Sequence, residues 1–402
     1  MKPDDYQAPE MGRPKRGLGR FGFWYFEPAP IPRDIVLSRD TVMVLSAADT
    51  ALGRLAGVGR LLRDPHRLVR PYVTREALAS SRIEGTQASL SDVFQAVASG
   101  AKPSDNNVLE VQNYIQAMER GLQLLAELPM SLRVIRNIHE VLLQDVRGRE
   151  KRPGEFRETP VWIGSPTDAP DNATFVPPLM EEMHEALRDW ELFANENPRM
   201  PLLVQCALLH YQFETIHPFL DGNGRLGRLL IVFFLVQQGR LAAPLLYISP
   251  YLEEHRPEYY DRLQAVRERG QLEEWIQFFL TAVSAQAEDA VTRAEQLVDL
   301  RERYRAALAG SRSRAIEVVE LMVENPILST FSIQRQLQVT NQGALNLIKQ
   351  LERRGWIKRL GKFGRGGRTF WVAEEVLNTL NRPRAENAPT SGSDTAADEK
   401  TA

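Results

Sequence analysis

Cysteine and long apolar runs are what this 402-residue sequence has least of. Its one cysteine, Cys206, cannot form an intramolecular disulfide or a cysteine-built zinc site, so we expect a reducing compartment. No stretch approaches the roughly 20 uncharged apolar residues that span a bilayer. The N-terminal residues also lack the apolar core of a signal peptide. We therefore expect a cytoplasmic protein with no membrane segment.

The charges nearly balance, since 50 Lys and Arg residues face 52 Asp and Glu residues, a net charge of −2. That value excludes a general attraction to nucleic acid, which would need a local basic region. Both ends are poor in core-forming residues. Residues 1–20 mix proline, glycine and charges, and residues 382–402 contain no Val, Ile, Leu or aromatic side chain. We expect a flexible arm over residues 1–20 and a disordered tail over residues 377–402.

Helical periodicity dominates between these ends, because apolar residues recur three and four positions apart. A chain of this length holds two or three domains, and the spacing predicts a mainly α fold. The expected helical runs are Leu45–Leu62, Val108–Leu128, Pro178–Phe193, Pro201–Thr215, Arg225–Gln238, Pro257–Arg269 and Trp275–Tyr304.

One stretch breaks the helical pattern. Residues 158–178 contain two short β-prone runs, Val161–Ile163 and Thr174–Val176, around a turn rich in Pro, Asp and Asn. This arrangement predicts a β-hairpin on a helical body, and a long surface loop is the alternative.

Residues 311–376 change character again and predict three helices followed by a glycine-rich hairpin, the pattern of a winged helix. The predicted elements are a helix over Ser311–Glu324, a second capped by Ser329, a third capped by Thr340 or Asn341, and strands over Trp356–Leu360 and Arg368–Val372. Residues 311–375 hold 11 basic and 6 acidic side chains, a net charge of +5. This segment could therefore contact DNA, and protein contact is the other interpretation.

The most informative segment, His217–Arg228 (HPFLDGNGRLGR), lies between two strongly apolar helical runs. Gly222 and Gly224 let the backbone approach an anion closely, and the next helix begins there with unpaired N–H groups. Arg225 and Arg228 are three residues apart and point to the same side of its first turn. Cations at a helix N-terminus oppose the helix dipole, so this pair is best explained by a bound anion. The segment predicts a phosphate cradle.

Two further side chains of the segment suit phosphate chemistry. Asp221 supplies a hard oxygen ligand for Mg²⁺, whose usual partners are one or two carboxylates and substrate phosphates. His217, at the mouth of the bend, is suited to accept a proton near neutral pH. The alternative is a structural histidine whose hydrogen bonds are satisfied in a turn between helices. This alternative is disfavoured by the residues that follow in order, which are Asp, Gly, Asn, Gly, Arg and Arg.

The segment matches in full the Fic signature H-x-F-x-[D/E]-G-N-G-R-x-x-R, and the chain resembles the Fic family over residues from about 22 to 282. Further Fic-like landmarks are Lys151–Arg157, Val161–Gly164, Ala173–Pro178 and Tyr259–Tyr260. The resemblance implies a Fic-type helical bundle with a short β-hairpin flap, followed by a winged helix-turn-helix domain. The implied division is an arm over 1–20, an N-terminal helical region over 21–105, a catalytic core over 106–282, a connecting helix over 283–310, a winged helix over 311–376 and a tail over 377–402.

The resemblance also implies an activity, the transfer of AMP from ATP to a Tyr, Thr or Ser hydroxyl of a protein target, and the chain itself is one candidate target. His217 would deprotonate the hydroxyl, and Asp221 would hold Mg²⁺ between the α- and β-phosphates. Relatives that phosphorylate carry Lys where Gly224 stands, so the glycine favours nucleotidyl transfer. The implied ATP-binding set is Glu214, Thr215, Ile216, His217, Gly222, Asn223, Gly224, Arg225, Leu226, Gly227, Arg228 and Tyr260. The implied target-docking flap is Thr174, Phe175 and Val176, and Phe219 would anchor the loop.

A second motif precedes this core. The sequence predicts a short helix over Thr74–Gly85, capped by its first residue and ended by the glycine. Glu84 then lies in the last turn, where a negative charge is disfavoured by about 0.3–1 kcal/mol, so it calls for a cationic partner. Ser80–Gly85 also matches the inhibitory [S/T]-x-x-x-E-[G/N] pattern of the Fic family. The resemblance implies that Glu84 pairs with Arg228 in the γ-phosphate position and that Ser80 fixes the helix.

Two other functions stay open. A metal-dependent phosphohydrolase would use His217 and Asp221, but it needs further ligands, and the other histidines do not cluster along the sequence. They are His66, His139, His184, His210 and His255. A DNA-binding regulator would sense nucleotide through a Fic-like body and bind DNA through residues 311–376. The sequence leaves homodimerisation open.

Overall fold

The computed structural model describes residues 1–61, 65–146, 149–164, 167, 169–363 and 367–382. The described chain is mainly α-helical, as the periodicity predicts. Its helices are α1 Arg39–Leu61, α2 Pro65–Ile83, α3 Leu90–Ser99, α4 Asn106–Leu125, α5 Leu132–Leu142, α6 Met180–Asn195, α7 Leu202–Ile216, α8 Asn223–Gln237, α9 Ser249–Glu254, α10 Arg256–Arg269, α11 Leu272–Ala307, α12 Ala315–Glu324, α13 Thr330–Leu337, α14 Asn341–Arg353 and α15 Glu374–Asn381. Its strands are β1 Gly12–Arg16, β2 Trp24–Pro28, β3 Ile327–Ser329, β4 Lys358–Phe363 and β5 Arg368–Val372.

Helices α7 and α8 form the centre of the bundle. Both are apolar on all sides and almost wholly buried, which is what their sequences require. They pack against each other, and α4, α5, α6 and α11 surround them. The bend that joins them, residues 217–222, is therefore held at both ends by the core.

The N-terminal residues form an ordered β-hairpin, so the flexible arm expected from composition is wrong. Strand β1 pairs antiparallel with β2, and Phe26 of β2 is fully buried. The ring of Phe26 lies 5.3 Å from that of Tyr6 and 5.8 Å from that of Phe175, measured between centroids. Aromatic side chains bury large apolar areas. Here Phe26 packs on Phe175, which lies about 150 residues further along the chain. Local composition does not reveal such a partner.

The hairpin predicted over residues 158–178 is reduced to one antiparallel bridge among the described residues. Ile163 and Phe175 exchange backbone hydrogen bonds of 2.8 and 3.1 Å. The turn between them includes residues 165, 166 and 168, which lie outside the described residues.

Helix α2 is longer than predicted. It begins at Pro65, so Thr74 lies in its interior, and the threonine hydroxyl donates to the carbonyl of Arg70 at 3.0 Å. Thr74 is therefore not a cap. Gly85, with φ of +96°, follows the end of the helix as expected and leaves Glu84 immediately beyond the last turn.

Helix α11 runs unbroken from Leu272 to Ala307, so the predicted boundary between residues 282 and 283 is not a structural break. Helix α1 lies along it. Among the described residues, Arg39–Gly59 of α1 is the one stretch long and apolar enough to cross a membrane by length and composition, with a mean hydropathy of 1.2. Asp49 in that stretch pairs with Arg240 at 2.8 Å, which ties α1 to the bundle.

Helices α12, α13 and α14 and the sheet β3-β5-β4 form the winged helix. Ser329 and Thr340 cap α13 and α14 as predicted, and β3 was not predicted. The wing tip at residues 364–366 lies outside the described residues.

The tail expected from residue 377 is wrong in its first residues. Helix α15 continues to Asn381 and buries Val376 and Leu380. Arg293 of α11 donates to the carbonyls of Thr379 and Leu380. Residues 383–402 of the expected tail lie outside the described residues.

Candidate active site

The bend between α7 and α8 begins at His217 and ends at Gly222. Both residues adopt left-handed backbone conformations, with φ of +48° and +77°. Asn223 holds the bend closed, because its side chain accepts from the N–H of Phe219 and donates to the carbonyl of Phe219, both at 2.9 Å. Phe219 is fully buried, as expected for an anchor. The amide of Asn223 is thus used inside the loop, and only its backbone N–H is left for an anion.

His139 of α5 supports the same bend from outside. Its Nδ1 accepts from the N–H of Gly154 at 2.9 Å, so its Nε2 carries the proton that it donates to the carbonyl of Asp221 at 2.9 Å. Its ring stacks on Phe219 with 3.7 Å between centroids. Burial lowers the pKa of His139 to about 4, so it is neutral at pH 7. The sequence offered no signal for this role, because the contact joins residues 82 positions apart.

Two buried guanidinium groups stand at the start of α8. Arg225 has no hydrogen-bond partner for Nε or Nη1 among the described residues, and its Nη1 lies 3.9 Å from the carboxylate of Glu110. Arg228 donates through Nε to the hydroxyl of Ser80 and through Nη2 to the carbonyl of Ser80, both at 2.8 Å. Buried cations beside unpaired helix N–H groups create a site for an anion.

The carboxylate of Glu84 occupies this site. It accepts from Arg228 Nη2 at 2.8 Å, and a Cβ placed on Gly224 would lie only 2.3 Å from its Oε1. The carboxylate therefore lies directly against the backbone of the loop. Burial would raise the pKa of Glu84, but the charge of Arg228 overrides it and holds that pKa below its usual value. Glu84 is ionised at pH 7.

Glu214 is a second acid close to Arg228, and it behaves differently. Burial raises its pKa to about 7, against the opposing charge of Arg228. Its Oε1 has no hydrogen-bond partner among the described residues, and it packs against Gly227. Arg228 therefore lies beside one ionised carboxylate, Glu84, and one that is about half protonated at pH 7, Glu214.

His217 is the basic group at the mouth of the site. Burial and then the charge of Arg157 lower its pKa to about 4, so the imidazole is neutral at pH 7. Its Nδ1 is buried without a hydrogen bond of good geometry among the described residues. A neutral imidazole is the form that can accept a proton.

Asp221 suits Mg²⁺ held partly by phosphates. Its side chain is 39% exposed at the N-terminal end of α8, and its Oδ1 accepts from the N–H of Gly222 at 2.6 Å. Among the described residues no group of three His, Cys, Asp or Glu side chains could hold a metal ion alone. A single carboxylate with the remaining positions filled by phosphate and water fits the coordination that Mg²⁺ uses.

The other predicted nucleotide-binding residues divide into two groups. The side chains of Thr215, Ile216 and Leu226 are fully buried, and the hydroxyl of Thr215 accepts from Arg267 Nε at 3.1 Å. The spacing of a continuous motif does not show which side of a helix faces the site. Tyr260 is 41% exposed, and partial burial and then the charge of Glu84 raise the pKa of its hydroxyl, against the opposing charge of Arg228.

The flap edge predicted to receive a target is partly engaged by the N-terminal residues. Tyr6 donates its hydroxyl to the carbonyl of Thr174 at 3.3 Å, and Phe26 donates its N–H to the carbonyl of Val176 at 2.9 Å. Phe175 pairs with Ile163 on the other edge. A strand that joins Thr174–Val176 would have to displace these contacts.

Comparisons with known proteins identify three regions of this chain. Residues 42–123 match the Fic/DOC family N-terminal model, residues 129–235 the Fic/DOC family model and residues 316–363 an HTH DNA binding domain model. Protein adenylyltransferase Fic of Drosophila grimshawi is 28% identical over 203 residues, 49% of this chain and 38% of that protein. Its namesake in Culex quinquefasciatus is 32% identical over 151 residues, 37% of this chain and 27% of that protein.

The chain thus spans less than half the length of these curated relatives. A crystal structure of a Fic family protein from Desulfovibrio desulfuricans G20 shares the fold, with a TM-score of 0.55 at 20% identity over 86% of this chain and 98% of that one. The chain therefore contains Fic/DOC N-terminal and Fic domains followed by a C-terminal helix-turn-helix domain.

Proposed function

We propose that this chain is a protein adenylyltransferase that uses ATP. The observation that carries the proposal is the juxtaposition of a neutral His217 with an anion site built by Arg225, Arg228 and the start of α8. Adenylyltransferase relatives share this domain. An anion site that already holds a carboxylate in place of its ligand fits a negatively charged substrate.

The chemistry follows from the positions of these groups. His217 takes the proton of a Tyr, Thr or Ser hydroxyl, whose oxygen attacks the α-phosphorus while the bond to the β-phosphate oxygen breaks and pyrophosphate leaves. The N–H groups of Asn223 and Gly224 would face the phosphates, and Arg225 and Arg228 would offset the charge that develops on the leaving group. Asp221 would hold Mg²⁺, which neutralises phosphate charge when bound with the nucleotide.

We further propose that Glu84 inhibits this activity. Support comes from the ion pair with Arg228, because Glu84 binds the same guanidinium that, in this proposal, would bind the terminal phosphate of the nucleotide. Ser80 accepts two hydrogen bonds from the same guanidinium and so fixes the pairing geometry. Tyr260 would lie beside the nucleotide, and Thr174–Val176 would guide the target once the N-terminal contacts are released.

Mass spectrometry of the intact protein tests the activity. Incubation with Mg·ATP is expected to add about 329 Da per transferred AMP, whereas phosphorylation would add about 80 Da. His217→Ala is expected to abolish the increase. Release of phosphate instead of pyrophosphate would favour the phosphohydrolase, and an unchanged mass for both chain and candidate targets would contradict the proposal.

DNA binding is a second candidate function for residues 311–376. Helix α14 buries its apolar face and exposes a polar and basic one, as a recognition helix does. The exposed residues of α14 are Asn341, Gln342, Asn346, Lys349 and Arg353. A duplex-binding measurement at several salt concentrations tests it, because neutralising phosphates makes affinity fall steeply with salt.

A further inference from the structure

His217 holds a backbone conformation that it would not adopt unaided. It is the residue that ends α7, with φ of +48° and ψ of +61°. Helices often end on a left-handed residue, but glycine usually fills that position because a side chain is strained there. Some other part of the structure must stabilise this conformation.

Arg157 stabilises the backbone of His217. It donates through Nε to the carbonyl of His217 at 2.9 Å and through Nη2 to the carbonyl of Ile216 at 3.3 Å. Its backbone N–H donates to the carbonyl of Pro218 at 2.9 Å. Three consecutive carbonyls around the left-handed residue are thus bound by one arginine, and a cation at a helix C-terminus is favoured by the helix dipole.

The same guanidinium binds the base of the flap. Its Nη2 donates to the carbonyl of Pro178 at 2.6 Å, and its Nη1 lies 3.5 Å from the carbonyl of Thr159. These residues stand at the two ends of the flap segment, residues 158–178. The side chain of Arg157 therefore links the ends of the flap segment to His217, the residue proposed to accept the proton.

Arg157 is also a buried charge without a carboxylate partner among the described residues. It is 1% exposed, and burial lowers its pKa to about 10, so it stays cationic at pH 7. The charged groups that act on His217 are Arg157 and Arg267, which favour the neutral imidazole, and Glu84, which opposes them.

We propose that Arg157 is a positioning residue that fixes the left-handed backbone of His217 against the end of the flap segment. Its second role is electrostatic, because its charge adds to the burial that favours the neutral imidazole. The first role rests on the proposed function, because it concerns the rate of AMP transfer. The second concerns the protonation of one side chain and does not require that the protein transfer AMP.

Two variants separate the roles. Arg157→Gln removes the charge and most of the N–H donors of the guanidinium. Arg157→Lys keeps a charge but has its three donors on one nitrogen, so it cannot reproduce the planar guanidinium contacts to carbonyls on both sides. Arg152→Gln is the matched control, because Arg152 belongs to the same segment and its ion-pair partners among the described residues are the exposed Glu155 and Glu158. NMR titration of the imidazole of His217 and single-turnover labelling from ATP are the two measurements, with circular dichroism to confirm folding.

We expect the pKa of His217 to rise in Arg157→Gln and to stay low in Arg157→Lys and Arg152→Gln. Labelling should fall by about 100-fold in Arg157→Gln, because misplacement of about 1 Å costs that much. It should fall at least tenfold in Arg157→Lys and not at all in Arg152→Gln.

The proposal is overturned if His217 titrates as in the wild type in Arg157→Gln, or if Arg157→Lys labels within threefold of the wild type. If the glutamine variant does not fold, the lysine variant decides alone. If neither the wild-type protein nor Glu84→Gly transfers AMP, the proposed function fails, and the titration still tests the electrostatic role.

Discussion

Replacing Glu84 with glycine should release the anion site and raise ATP-dependent labelling. The carboxylate and the terminal phosphate compete for Arg228, which is 1% exposed and can satisfy only one of them fully. A hydrogen bond to a charged group contributes about 1.5–3 kcal/mol, which corresponds to about a 10- to 150-fold change in an equilibrium constant. Because the side chain of Glu84 is 35% exposed, solvent weakens its interaction, and the lower end of that range applies. We expect at least a tenfold increase.

The assay is transfer of radiolabelled AMP at ATP concentrations well below saturation, where competition has its full effect. Glu84→Gln should fall between the wild type and Glu84→Gly, since it keeps a hydrogen-bond acceptor but loses the charge. Adding His217→Ala to Glu84→Gly should remove the gain. Glu196→Gly is the control, because Glu196 also follows a helix end and pairs with an arginine, Arg33, at 2.9 Å far from the loop.

The result that would refute this reasoning is a Glu84→Gly variant that is folded, loses labelling with His217→Ala, and labels no faster than the wild type. A gain that persists unchanged at saturating ATP would also contradict direct competition, since excess nucleotide should displace the carboxylate in the wild type as well.

Three further outcomes are expected. In the folded protein, burial lowers the pKa of His139 to about 4 and that of His210 to about 3. Between pH 6.5 and 5 the unfolded chain therefore takes up protons at both residues while the folded protein does not. The free energy of unfolding should fall over this range. Glu214 opposes this trend, because its pKa is raised to about 7 in the folded protein. In chemical denaturation at several pH values, His139→Gln should reduce the dependence of the free energy of unfolding on pH. Gly224→Ala in a Glu84→Gly background should label at least tenfold more slowly than Glu84→Gly alone, because its methyl group points into the cradle; an equal rate would contradict close phosphate contact. Lys349→Ala should weaken duplex binding and reduce its salt dependence by about one charge, and unchanged binding in a titration would remove α14 from the interface.

The helices of the bundle could be predicted because their cause is local. Periodic apolar residues in α7 and α8 bury every side of both helices, and Ser329 and Thr340 cap their helices with their own side chains. Such signals need only neighbours within a few positions of the chain.

The predictions that failed depended on distant partners. The N-terminal hairpin is ordered because Phe26 packs on Phe175, and the first residues of the expected tail fold because Arg293 binds their carbonyls. Thr74 has a good capping side chain, yet α2 extends past it, because a hydroxyl can also bond within a helix.

In the candidate site too, some properties follow from neighbouring residues in the sequence and others from distant segments. The order of His217, Asp221, Arg225 and Arg228 along the chain identifies an anion-binding bend, because a glycine-rich turn followed by a helix N-terminus creates that chemistry from consecutive residues. The protonation of His217, the occupation of the cradle by Glu84 and the support of the bend by Arg157 arise only in the folded chain. Burial and the fields of charges from distant segments set these properties, and neither exists until those segments are packed together.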